Sequence, residues 1–125
     1  MTPEYWQLLL RDLVKRGASR EIDENIHVGL GMPAHSQRII PKYGRSTDAS
    51  QRVLIQIGAN WRLQVNDGVA SAFAQVGDMW FDAKGPVGLI AEVQCRVMLM
   101  ALAAHTGRGR FAAAVASAAR EERDA

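Results

Sequence analysis

Between Trp61 and Ala83 the apolar residues switch from helical spacing to strict alternation, and this change constrains the fold more than any other feature. Trp61, Leu63 and Val65 alternate with Arg62 and Gln64, the pattern of a strand with one buried face. Asn66-Asp67-Gly68 then forms a tight turn, because Asp-Gly tolerates the positive φ angles that a two-residue hairpin demands. Val69 to Val76 is a second strand rich in small residues. Gly77-Asp78 turns the chain again, and Met79 to Ala83 gives a third strand. These segments predict a three-stranded antiparallel meander. Such a sheet needs helices packed on it, and those expected there lie over 46–57 and 87–105, so the expected class is α+β.

The helices lie on both sides of the meander. Thr2-Pro3-Glu4 reads as a helix start, and Trp6, Leu9, Leu10, Leu13 and Val14 recur at helical spacing up to a stop at Gly17. Ser19 caps a second helix over 20–28, carrying Ile22 and Ile26, which Gly29, Gly31 and Pro33 end. His35 to Arg45 is irregular, with room for only a short extended piece at Ile39 and Ile40. Ser46-Thr47-Asp48 starts a third helix over 46–57. Gly85-Pro86 breaks the sheet and opens a long helix over 87–105, with Glu92 and Arg96 pairing on its polar side and Gly107 as its stop. An alanine-rich C-terminal helix follows. The whole is one α+β domain over 1–125: an N-terminal helix (1–18), a core (20–106) and a tail (107–125).

The helix over 87–105 is apolar nearly all round, so it must be covered on every side. That predicts a homo-oligomer, most simply a dimer, with Leu89, Met98, Leu99, Leu102 and Phe111 at the interface. The rival cover is the first helix, folded back over the long one.

Composition narrows the function classes. The 125 residues carry a formal net charge of +2, too balanced to imply nucleic acid by itself. Cys95 is the only cysteine, which excludes an intrachain disulfide and fits a reducing compartment, the cytoplasm. Glu92, Gln94 and Arg96 interrupt the most apolar stretch and argue against a membrane span. His27, His35, His105 and Cys95 match no zinc spacing, so no metal is expected. The glycines at 29 and 31 lack the rest of a phosphate loop, and no serine sits in a nucleophile elbow. No cofactor is expected, and the chain reads as non-enzymatic.

Two places carry binding chemistry. Pro41-Lys42-Tyr43-Gly44-Arg45 sets two cations beside an aromatic ring just ahead of a helix N-terminus, a place suited to an anion. Arg108 and Arg110 extend the basic set. The plainer reading is a solvated loop with Tyr43 on the core. If the loop binds, replacing Lys42 and Arg45 with alanine removes binding without moving the melting temperature. Trp61 and Trp80, read as lying on neighbouring strands, offer a platform for a base, or else are core aromatics.

Taken in order, Arg20-Glu21-Ile22-Asp23, Gly31-Met32, Pro41-Lys42-Tyr43, Ser46-Thr47-Asp48, the Trp-led strand and the helix from Ala91 to Ala104 resemble the small phage proteins with a phage ABA-sandwich domain. The resemblance covers residues 20–106. It departs from the family where Gly44 and Arg45 separate the tyrosine from the Ser-Thr-Asp run. It implies a phage or prophage accessory protein working in the bacterial host cytoplasm, and carries no activity with it. The expectation is a protein that binds a host protein or complex, with counter-defence inhibitors of the anti-CRISPR kind in that class. The alternative is a nucleotide or nucleic-acid binder using Lys42, Tyr43, Arg45, Arg108 and Arg110.

Overall fold

The structure, a computed structural model, describes residues 2–31 and 40–124, with 108–124 as backbone alone. Of the features anticipated above, Met32, Pro33, His35, Arg38 and Ile39 lie outside the described residues, as do the side chains of Arg108, Arg110 and Phe111. In chain order the elements are α1 (Pro3–Arg16), α2 (Arg20–Gly29), α3 (Thr47–Gln56), β1 (Asn60–Asn66), β2 (Val69–Val76), β3 (Met79–Pro86), a 3-10 turn (Val87–Leu89) and α4 (Ile90–Asp124). The class is α+β, as expected.

Local chemistry sets most boundaries. The Ser19 hydroxyl accepts the Ile22 N–H at 3.2 Å and starts α2. Gly17, at φ 82°, ends α1 and donates its N–H to the Leu13 carbonyl. Thr2 and Ser46 occupy cap positions but make no side-chain cap bond. In the meander, Asp67 and Gly68 take φ values of 52° and 75°, so the β1–β2 turn is the left-handed kind that matches strand twist.

The sheet order is β1-β2-β3 with both pairings antiparallel. Trp61, Ala74 and Phe81 align across it, as do Leu63, Ala72 and Ala83. These residues share the inner face, where α4 packs on β2 and β3. Ala70, Ala72 and Ala74 are fully buried there. Their small side chains let the helix come close. A Cβ added at Gly85 would stand 2.8 Å from a Val93 methyl, so this glycine marks the tightest approach.

α1 lies antiparallel along α4. Its start is tied by the Trp6 Nε1–H, which donates to Thr106 Oγ1 at 3.2 Å. Just past its end, the Ala18 N–H donates to Glu92 Oε1 at 2.7 Å. Glu92 therefore binds the α1–α2 junction from inside. The expected Glu92–Arg96 pair forms, at 3.5 Å, but Glu92 is buried rather than on a solvated side.

Three readings are corrected here. The segment Gly85-Pro86 stays in β3, and α4 begins only at Ile90, because the Val87 N–H is held by the Gly68 carbonyl at 2.9 Å. Gly107 does not stop the helix, which runs on to Asp124; one glycine costs a helix only about 1 kcal/mol, and alanines follow. Finally, α3 packs on α4 and meets the sheet only along β1, because α4 takes the inner face.

The apolar girth of α4 is mostly covered within the chain by α1, α3 and the sheet, leaving an apolar hollow lined by Leu10, Phe81, Met100 and Ala104. Met98, Leu99 and Leu102 are buried in that core, so none of them offers a surface to a second copy; Leu89 is exposed. Residues 87–107 are apolar enough to cross a bilayer, with mean hydropathy 1.7, yet half of that stretch is buried inside the chain, as in a core helix.

The hairpin generates a test. No atom lies within 4 Å of a Cβ built at Gly68, so Gly68→Val meets no clash and only the positive φ opposes it. The expected loss is about 1–2 kcal/mol, read as a lower urea midpoint with an unchanged slope.

Candidate functional site

The loop 41–45 is held, not free. Asp23 and His27 stand one turn apart on the inner side of α2, both buried. Asp23 Oδ1 accepts the Gly44 N–H at 3.1 Å, and Oδ2 accepts Arg45 Nη2 at 3.0 Å. His27 Nδ1 meets the Tyr43 hydroxyl at 3.0 Å. From the other side, the Ser50 hydroxyl of α3 donates to the Tyr43 carbonyl at 2.7 Å. A turn closed by the Arg45 N–H on the Lys42 carbonyl completes the staple.

The loop read as a candidate anion site is thus tied into the fold. Tyr43 is buried, and burial raises its phenol pKa above the ordinary value, with the Asp23 charge adding to the rise. The half-exposed Arg45 already has an anion, Asp23. Of this loop's expected site residues Lys42 and Arg45 are exposed and Tyr43 is buried. Arg108 and Arg110 are outside the described side chains. The loop is a structural joint between α2 and α3.

Cys95 of α4 is fully buried. Burial drives its thiol pKa far upward, the charges of Asp23 and Glu92 push the same way, and the Ser50 hydroxyl opposes them weakly. A thiol so placed stays protonated and inert. Among the described residues no group of three or more His, Cys, Asp or Glu side chains is arranged to hold a metal.

The surface chemistry gathers instead on the sheet's outer face. Asn60, Gln75 and Trp80 align across the three strands, then Arg62, Phe73 and Asp82, then Gln64, Ser71 and Lys84. Among the elements described, α1, α3 and α4 all lie elsewhere, and Trp80 is 68% exposed. Trp80 and Phe73 are diagonal neighbours on adjacent strands and open onto the same hollow, without direct ring contact. With Asn60, Arg62, Gln64 and the edge residue Trp61 they line a hollow of about 260 Å³. The Asn60 amide donates to Gln75 Oε1 at 3.2 Å beside it.

Trp61 and Trp80 were expected side by side. In the structure β2 separates them, and the register puts them on opposite faces. The signal was available: two-residue turns at 67–68 and 77–78 set Trp61 level with Phe81, one residue out of phase with Trp80. The same count would have singled out Arg62, Phe73 and Lys84, which the sequence reading missed. Comparison of the chain with protein-family models, curated proteins and solved structures gave no match.

Two outcomes check this division into joint and surface. Arg45→Ala leaves a buried carboxylate with one N–H partner, so it should cost about 2 kcal/mol, between an exposed and a fully buried pair. Lys42→Ala should leave the melting temperature within about 1 °C, as for an exposed side chain without a partner role. For Cys95, a thiol reagent at pH 8 should give negligible labelling of the native protein and complete labelling in denaturant. Rapid native labelling would show that the core around Ser50 opens.

Proposed function

We propose that this chain is a non-enzymatic binding protein whose working surface is the open face of the sheet. The observation that carries the reading is Trp80, a large aromatic left mostly exposed on the edge strand of a largely polar face, with Phe73 on the neighbouring central strand and Arg62 beyond it. Tryptophan and arginine are the residues that most often dominate binding energy when a partner desolvates them. The buried Asp23 and Ser50 support the same reading from the other side, since their side-chain oxygens serve internal contacts. The resemblance to small phage proteins favours a phage accessory protein that captures a host macromolecule in the bacterial cytoplasm, with counter-defence within that class.

Photocrosslinking in host cells tests the surface. A photoreactive phenylalanine at Trp80 should give a discrete adduct, and the same residue at the exposed Arg11 of α1 should not. Equal or absent adducts at both positions would refute the reading.

A second surface supports self-association. Val65 lies beside the β1–β2 turn on the inner side of the sheet, Val87 is bonded to that turn, and Leu89 follows; all three are exposed aliphatics at one end of the molecule. This patch, and not the buried Met98, Leu99 and Leu102, is where we place a homodimer contact. Light scattering at micromolar concentration should give twice 13.7 kDa, falling to one chain for Leu89→Glu; a wild-type mass of one chain would overturn the dimer.

A further inference from the structure

We infer that the open face binds single-stranded nucleic acid, with a base stacked on Trp80 in the hollow it shares with Phe73; this rests on the reading of that face as the working surface. Three observations select this occupant over a protein. First, the face is aromatic without being aliphatic: its one aliphatic side chain, Val69, sits at the far end beside Pro86. Protein interface cores are depleted of lysine, aspartate and glutamate, whereas Asp82 and Lys84 stand in the two rows next to Trp80 on this strand. Here charges and amides surround the rings.

Second, the hollow has the size and lining of a base site. About 260 Å³ is roomy enough for one planar heterocycle, and its walls are three aromatic residues, a guanidinium and two carboxamides. Stacking supplies sequence-tolerant affinity because every base has a π-face. Asn60 and Gln64 present both a donor and an acceptor to a base edge. Asp82, directly opposite Phe73, offers an acceptor for an exocyclic amino group.

Third, the charges are placed to hold a backbone alongside. Arg62 faces Phe73 from β1, and Lys84 lies one row on along β3, so the two cations flank the rings from opposite edge strands. A duplex keeps its bases stacked on each other and cannot offer one to a recessed ring. The predicted ligand is therefore a single strand. With two cations available, the electrostatic contribution is small.

Fluorescence anisotropy of the full chain with a labelled oligothymidine of about 12 nucleotides, and with the matching oligouridine, tests this. The single strands should bind, and an unlabelled duplex of equal length should not compete. The logarithm of affinity should fall with the logarithm of salt at a slope of about −1.4, from about 0.7 per phosphate contact, and Arg62→Ala should halve that slope. Trp80→Ala should weaken binding about 10- to 100-fold, while Trp80→Phe keeps most of it. Both variants alter an exposed side chain, so thermal melting should match wild type. Absence of single-strand binding, or affinity unchanged in Trp80→Ala, overturns the inference. If oligonucleotides fail while the crosslinker at position 80 captures a protein, the nucleic-acid inference falls and the reading of the face stands. If both fail, both fall.

Discussion

One carboxylate organises the helical half of this molecule. Asp23 is buried on α2, and an ionised side chain there is tolerated only when its oxygens are matched by donors. The chain provides them from a single turn, through the Gly44 N–H and the Arg45 guanidinium. Meeting that demand pulls loop 41–45 against α2 and sets Tyr43 against His27. It also brings the Tyr43 carbonyl to Ser50, which fixes where α3 begins its run toward β1. Gly44 fits this crowded place because a Cβ there would stand 2.9 Å from that of Ala18. Glu92 does the same work at the α1–α2 junction, accepting the Ala18 N–H.

The division of labour between the two halves follows from this. The helical half spends its polar groups internally, on joints between α1, α2, α3 and α4. The sheet half presents its polar groups outward, on a face that the helices leave uncovered. A single β2 strand serves both: its alanines accept α4 on one side, and Ser71, Phe73 and Gln75 line the outer face on the other. Alternation at β2 thus couples core packing to surface chemistry, since a one-residue slip would exchange the two faces.

The elements legible in the sequence are those decided within a few residues. The Asp67-Gly68 turn, the Ser19 cap and the Gly17 stop each depend on one or two side chains and a backbone angle. What escaped notice was decided between distant residues. Asp23 looks like an ordinary first-turn acid until Arg45, 22 positions away, meets it. Glu92 looks solvated until Ala18, 74 positions away, docks on it. The basic loop is a case of the same kind: the anion that Arg45 pairs with is already in the chain. The outer face lay between these cases, because its pairing follows from two short turns once both are counted together.

The contact between Trp6 and Thr106 closes a loop of 100 residues, the longest tie among the described side-chain hydrogen bonds. The meander, by contrast, pairs near neighbours. Contacts so far apart in sequence form late, after local hairpins have already gained their own pairings. On the ribosome the consequence is sharper. At about 5–20 residues per second, α1 precedes its own binding surface by about 5–20 s. Throughout that interval Trp6, Leu9 and Leu13 have no finished core to enter. The helix α1 is made about 100 residues before the partner that buries it, and a nascent chain halted before Thr106 would carry it as an unshielded apolar segment.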